Sequence, residues 1–443
     1  MRTKNEIRQE IISLVKEYHR AEQDTVEPFQ PGQRIPYCRR VYDEQERINL
    51  VDSALEFWLT AGRYCARFER ELGAFLGVKH VAAVNSGSSA NLLAFMALTS
   101  PLLKERAIQR GDEVICVAAA FPTSVSPILQ YGAVPVFVDV KLGTYNIDVS
   151  MLEEALSEKT KCIFLAHTLG NPFNLQAVKS FCQKHGLWLI EDNCDALGAA
   201  YNMDGTFQKT GTIGDIGTSS FYPAHHITMG EGGAVYTNND LLSRILFSMR
   251  DWGRDCVCPP GADDTCGHRF AGQYGELPGG YDHKYVYSHL GYNLKVTDMQ
   301  AAIGCAQLEK LEGFIEKRRH NWQFLRDALA GEEDHLILPC QEEEAWPSWF
   351  GFLLTVREGV SREKVVEHLE KRGIQTRMLF SGNLLLHPCF DQLRKSGAGY
   401  RIAGELANTN RIVNDTFWLG VYPGMTEEML DYMAKAVKEG LRL

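Results

Sequence analysis

The chain reads as an α/β protein: a large domain around a mostly parallel sheet, followed by a smaller C-terminal α+β domain. Two observations predict this. Between residues 80 and 192, short runs that are apolar throughout alternate with helical patterns. Strands that are apolar at every position, rather than at alternate ones, belong to sheets covered on both faces, and such sheets are mostly parallel. Near Gln307 the alternation stops and a long charged helical pattern begins, with further short elements after it.

Residues 1–20 set Ile7, Ile11, Ile12, Leu14, Val15 and Tyr18 among charges. That spacing makes one apolar helical face, not the unbroken apolar core of a signal peptide. Residues 40–77 read as a helical region. Residues 81–84 form a strand, 85–90 a turn, and a helix then runs through Ala97. Strands are expected at 113–117 (followed by a loop and a helix), 134–139, 162–166 and 187–192. Residues 308–328 form the long charged helix, and 352–356 a strand of the smaller domain. The expected organisation is a helical extension over 1–40, a large domain over 41–307 and a small domain over 308–443. No repeat, low-complexity tract or clear linker is visible in the sequence.

With 45% hydrophobic and 23% charged residues among 443, the chain has enough apolar material for more than one core. A net charge of −10 argues against nucleic acid or an anionic membrane as partner. No apolar run is long enough to span a bilayer, so a cytoplasmic location is expected. Cys116, Cys162 and Cys305 lie in apolar strand or helix patterns, where a buried, reduced thiol is the default.

Several segments carry candidate chemistry. Asn85-Ser86-Gly87-Ser88-Ser89-Ala90 follows a strand and opens a helix, so its amides and hydroxyls suit a phosphate dianion, although Ser-Gly-Ser turns are also common without a ligand. Asp192 ends a strand, where a carboxylate faces a ligand crevice or simply caps the next turn. His225 and His226 follow Ser219-Ser220-Phe221-Tyr222-Pro223-Ala224, and an imidazole there can act as a general base near neutral pH.

The order of these segments, with Phe121-Pro122-Thr123 and Gly291-Tyr292-Asn293, resembles the DegT/DnrJ/EryC1/StrS sugar aminotransferase family from about Tyr42 to the C-terminus. The resemblance implies an aspartate-aminotransferase-like fold with a seven-stranded type of sheet, a homodimer and a vitamin B6 cofactor. It implies that Gly87, Ser88 and Ser220 bind the cofactor phosphate, that Phe121 stacks on its ring and that Asp192 pairs with the ring nitrogen. Asn293 is implied as a phosphate ligand reaching into the other subunit's site. His225 stands where the family carries its cofactor lysine, and no lysine occurs between Thr210 and His283. Imidazole cannot form the Schiff base that lysine forms.

That departure resembles the sugar 3-dehydrase branch of the family, which uses non-covalent pyridoxamine phosphate (PMP; pyridoxal phosphate, PLP, in its aldehyde form). The resemblance implies that His225 removes the 4′ proton, with His226 as the neighbouring alternative, and that Asp195 and Tyr222 orient it or the leaving hydroxyl. The implied reaction removes the 3-hydroxyl of a nucleotide-linked 4-keto-6-deoxyhexose, CDP-4-keto-6-deoxy-D-glucose, on the way to a dideoxysugar of lipopolysaccharide O-antigen.

Four cysteines need separate treatment. Cys256-Val257-Cys258 precedes Pro259-Pro260-Gly261 and then Cys266, within a loop over 250–270; 61 residues separate Cys194 from Cys256. Pro-Pro-Gly forces a loop that can fold back, and Cys194 lies two residues after Asp192. Four thiolates bind an iron–sulfur cluster or a zinc ion, and unrelated thiols remain a third reading; Cys-x-Cys leans towards iron–sulfur. A 3-dehydrase branch with this arrangement implies a 2Fe–2S cluster on Cys194, Cys256, Cys258 and Cys266, fed by an NADH-dependent flavin/iron–sulfur reductase. A cluster-free GDP-4-keto-6-deoxymannose 3-dehydratase type and a non-catalytic homologue are the competing readings.

Overall fold

Seven strands make the body of the large sheet: β1 His80–Val84, β2 Glu113–Val117, β3 Val134–Val138, β4 Thr160–Ala166, β5 Trp188–Asp192, β6 Ile216–Ser220 and β7 Gly233–Thr237. The structure, a computed structural model, describes residues 1–23, 27–256, 258, 261, 264, 265 and 267–443. The strands lie in the order β1-β7-β6-β5-β4-β2-β3, and Arg401–Ile402 adds an edge strand beside β3. Only β7 runs antiparallel to its neighbours β1 and β6. The expected mostly parallel sheet is present.

The five strands anticipated from apolar runs occur within a residue or two of their expected limits. β6 and β7 do not follow from such runs. β6 is Ile-Gly-Thr-Ser-Ser, buried at every position. A Cβ on its Gly217 would fall 2.1 Å from the Gly211 carbonyl oxygen, so close backbone approach demands glycine and removes the β-branched signature.

Helices cover both faces. The expected helical region 40–77 is two helices, Glu44–Glu56 and Arg63–Leu76. Asp43 and Glu46 form a capping box at the first, and Phe57 ends it in a left-handed conformation. The second buries Tyr64, Cys65, Phe68, Leu72 and Leu76, spaced along one face. The helix Lys4–Gln23 joins this layer through Arg8, whose Nε donates to Asp52 Oδ1 at 2.8 Å. Cys116, Cys162 and Cys305 are buried as expected, and burial pushes the Cys305 thiol to about 12.

The helix expected over 308–328 is present as Leu311–Ala328, starting three residues late because a separate helix, Asp298–Leu308, ends just before it. Asp298–Leu308 packs its Ala301, Ala302 and Cys305 into the large domain, whereas Leu311–Ala328 leads into the smaller one. The turn between them lets Lys310 reach Glu46 Oε1 at 2.9 Å. Beyond it an antiparallel sheet of Leu336–Ile337, Gly351–Val356, Thr416–Gly420 and Thr376–Arg377 packs against Leu311–Ala328, Arg362–Lys371 and Glu427–Gly440. Ile35, buried, bridges to Ile374 of this unit. Among the described residues no helix is long and apolar enough to cross a membrane.

Candidate active site

A cavity of about 480 Å³ opens at the C-terminal ends of β5 and β6, where the helix Gly87–Ala97 begins. Crevices beyond the carboxyl ends of parallel strands are the usual ligand sites of such sheets. Ser86 caps the helix, its Oγ accepting from Ser89 N at 3.0 Å, and Gly87 and Ser88 of the first turn, where amides lack intrahelical partners, line the cavity. Gly87 is held against Ser220: a Cβ there would fall 2.4 Å from Ser220 Cβ and 3.1 Å from Cys194 Sγ. Gly87, Ser88 and Ser220 therefore share one wall, a cradle with the chemistry of a phosphate site.

Asp192 lies on the adjacent wall, buried and bonded only by donors. Asn91 Nδ2 and Ser124 Oγ donate to its Oδ2 at 2.8 and 2.7 Å, and Cys194 N donates to Oδ1 at 3.2 Å. Asn91 in turn accepts from Thr218 Oγ1 at 2.7 Å, which ties this network to β6. Three donors fix the orientation of this carboxylate, which lines the cavity and can accept from a protonated ring nitrogen. Phe121 stands half exposed at the mouth, edge-on to Phe380 with ring centres 6.3 Å apart.

His225 also lines the cavity, its Nδ1 3.2 Å from Asp195 Oδ1, although the two are not aligned as a hydrogen bond. Active-site pairs often align only when the site is filled. Burial pushes the Asp195 carboxyl above its usual range, and the nearby His225 opposes that rise. The imidazole leans on Phe350 with ring centres 5.3 Å apart, and Arg318 donates to the His225 carbonyl oxygen at 3.2 Å. His226 points elsewhere. It is buried and bonded through Nε2 to the Ser348 carbonyl oxygen at 2.8 Å. Tyr222, about half exposed, lies on the same rim as His225.

The cavity thus gathers Gly87, Ser88, Phe121, Asp192, Cys194, Asp195, Ser220, Tyr222 and His225. Asn293 is outside it: exposed, with its Oδ1 accepting from Lys295 Nζ at 2.6 Å. Cys256 and Cys258 line a different cavity, beside Trp58 and Arg250. Cys266 lies outside the described residues. Among the described residues no three histidine, cysteine or acidic side chains gather as a metal site. The donor set for a cluster is therefore not assembled in the described part of the protein, whereas the residues for a B6 cofactor fit it.

Sequence reasoning missed Asn91, Ser124 and Arg318, and the wall made by Tyr37, Phe350, Arg377 and Trp418. Asn91 had a signal, lying one turn after Gly87 on the same helix face. The others come from distant segments and had none.

The sheet order and crevice define the aminotransferase fold of vitamin B6 enzymes, here with histidine in place of a lysine. The chain belongs to the DegT/DnrJ/EryC1/StrS aminotransferase family, whose sequence model matches residues 41–438. It is 54% identical over 440 residues to the lipopolysaccharide biosynthesis protein RfbH of Salmonella typhimurium, covering 99% of this chain and 98% of that one. It is 49% identical to dTDP-4-dehydro-2,6-dideoxy-D-glucose 3-dehydratase of Saccharopolyspora spinosa, over 97% of this chain and 91% of the relative. Among solved structures, Escherichia coli GDP-4-keto-6-deoxy-D-mannose-3-dehydratase with bound hydrated PLP superposes with a TM-score of 0.80 at 30% identity, covering 91% of this chain and 98% of that one.

Proposed function

We propose that this enzyme is a PMP-dependent dehydratase that removes the 3-hydroxyl of a nucleotide-linked 4-keto-6-deoxyhexose in deoxysugar biosynthesis. The observation that carries the reading is His225, beside Asp195, in a crevice equipped for a B6 phosphate and ring and lined, among the described residues, by no lysine. Relatives named as sugar 3-dehydratases, and one named for lipopolysaccharide biosynthesis, support it. CDP-4-keto-6-deoxy-D-glucose is the proposed substrate, on the resemblance of the cysteine arrangement.

When bound, PMP supplies an amine for the keto carbon and a ring that accepts electrons as the 4′ proton leaves. The chain's residues do the rest. Gly87, Ser88 and Ser220 anchor the phosphate at the helix N-terminus. Phe121 covers the ring, and Asp192 keeps its nitrogen protonated. His225 takes the proton at the 4′ carbon, and the carboxylate of Asp195 holds the imidazolium that results. That imidazolium then protonates the departing 3-hydroxyl, which Tyr222 helps to orient.

Three further assignments belong to this proposal. Asn293, outside the cavity of its own protomer, serves the partner's site in a homodimer. The chain divides at 40 and 307 as the sequence suggests, although Arg401–Ile402 returns to the large sheet. A 2Fe–2S cluster on Cys194, Cys256, Cys258 and Cys266, reduced by a flavin/iron–sulfur partner in the cytoplasm, would need Cys194 and the Cys256–Cys258 pair, which line separate cavities, to be brought together. The last assignment rests on spacing, and no electron step is derived through it. Anaerobic purification with iron and sulfide analysis tests it: zinc at one per subunit with little iron removes the cluster and leaves the dehydratase.

The dehydratase is tested by exchange. With PMP and the keto sugar, the 3-hydroxyl oxygen should exchange with labelled water, and His225→Asn should still bind PMP while slowing 4′ proton exchange by roughly 10²-fold. Wild-type exchange in that variant would remove His225 from its role.

A further inference from the structure

The cavity extends past the cofactor residues along a row of rings. His225 leans on Phe350; Phe350 meets Trp418 with centres 5.5 Å apart; Trp418 meets Tyr37 edge-on at 5.4 Å. The row ends at Arg377, whose guanidinium carbon lies 4.1 Å from the centre of the Tyr37 ring. All five residues line the same cavity.

Among the described residues Arg377 is the one arginine that lines this cavity. It donates through one nitrogen to the carbonyl oxygen of Thr376, and no carboxylate among the described residues lies within ion-pair distance of it. Arg318, by contrast, is spent on backbone carbonyls at His225, Trp349 and Phe350. Tyr37 is itself fixed. Ile35, two residues before it, bridges to Ile374, and its backbone lies where a Cβ on Gly420 would meet Tyr37 O at 2.1 Å. Trp418 is held by its Nε1 donating to Met378 O at 3.0 Å. A planar guanidinium stacked on a ring, in a walled pocket and lacking a counter-ion, is pre-organised for a bidentate oxyanion.

We propose that Arg377, laid on Tyr37, is the anion subsite that takes the diphosphate of the nucleotide sugar. This rests on the dehydratase reading and names where its substrate is held. The substrate's geometry selects the source of the anion. In a hexopyranose, C1 lies across the ring from C4. A sugar whose C4 stands at the cofactor beside His225 therefore points its anomeric phosphate away from the reacting centre, along the row of rings. The carboxylate of an amino acid sits on the reacting carbon and would need a cation beside His225 instead. Aromatic faces between the two ends suit the apolar faces of a deoxyhexose.

The test uses the PMP-loaded full-length protein, wild type, Arg377→Met and Arg377→Lys. Calorimetric titration with CDP, dTDP and GDP should give a wild-type Kd for at least one. Arg377→Met should weaken it by about tenfold or more, as expected when a charge-assisted contact is lost. Arg377→Lys should recover part of that loss. PMP retention after dialysis should be the same in all three, and with the keto sugar the loss should fall on KM rather than kcat. Equal nucleotide affinity in wild type and Arg377→Met overturns the subsite while leaving the dehydratase intact. Binding of glutamate that Arg377→Met abolishes, with nucleotide binding untouched, also overturns it. Failure of wild-type protein to bind any of the three nucleotides overturns the subsite and the sugar-nucleotide reading together.

Discussion

Asp192→Asn is the sharpest perturbation of the cofactor crevice, because every group bonded to this carboxylate is a donor. Asn91 Nδ2 and Ser124 Oγ bond Oδ2, and Cys194 N bonds Oδ1. The amide has the same shape, but its NH₂ must replace one oxygen. At the Oδ2 position it meets the Asn91 NH₂; at Oδ1 it meets the Cys194 N–H. In either orientation a buried donor loses its acceptor, which costs about 1–3 kcal/mol of stability. The charge facing the ring nitrogen is lost as well, and a hydrogen bond to a charged group contributes about 1.5–3 kcal/mol. At about 1.4 kcal/mol per decade, the Kd for PMP should rise roughly 10–100-fold. Fluorescence titration of dialysed protein with PMP measures the affinity, and urea unfolding of the apo forms measures the stability separately. A PMP Kd within about threefold of wild type, in a variant whose apo stability has fallen, would refute the reasoning. The carboxylate would then serve only the Asn91–Ser124–Cys194 network, and the ring nitrogen would have another partner.

Two other outcomes are expected. His225→Lys should create a covalent link to PLP, seen as a visible absorption band and a borohydride-stable adduct, and should lose dehydration; borohydride labelling of any lysine in wild type would contradict the non-covalent reading. His226 is buried, and that burial, together with Arg318 and His225 nearby, holds its pKa well below the ordinary histidine value. Its folded pKa is depressed, so its contribution to stability is present above about pH 6.5 and lost as pH falls below it, by up to about 1.4 kcal/mol per pH unit. His226→Gln keeps a donor for Ser348 O and should flatten the stability curve between about pH 5 and 6.5, read from urea midpoints; parallel curves would contradict this.

Much of the site was legible because its residues sit at ends of elements that local chemistry marks. Ser86 and Gly87 announce a helix start after β1. Asp192 closes an apolar run. His225 is conspicuous only against the lysine of the resembling family; on composition it is one of 13 histidines. The choice between His225 and His226 lay beyond local pattern, because adjacent residues share every sequence feature. Packing separates them: one imidazole lies against Asp195 in the cavity, and the other is buried against Ser348 O.

The sequence alone determined the parallel sheet, the order of the crevice residues and the absence of a cofactor lysine, since apolar runs, caps and residue types act over a few neighbouring positions. It could not reveal β6, whose glycine is demanded by Gly211 from across a turn, nor the turn after Leu308 that sets the start of the long helix at Leu311. The far wall of the cavity was decided by tertiary structure entirely. Tyr37, Phe350, Arg377 and Trp418 come from four segments spread over the chain, and they meet because the small domain buries Ile35, Phe352, Ile374 and Leu419 in one core. Burial of that core sets which side chains face the cofactor crevice, and no single segment carries that information.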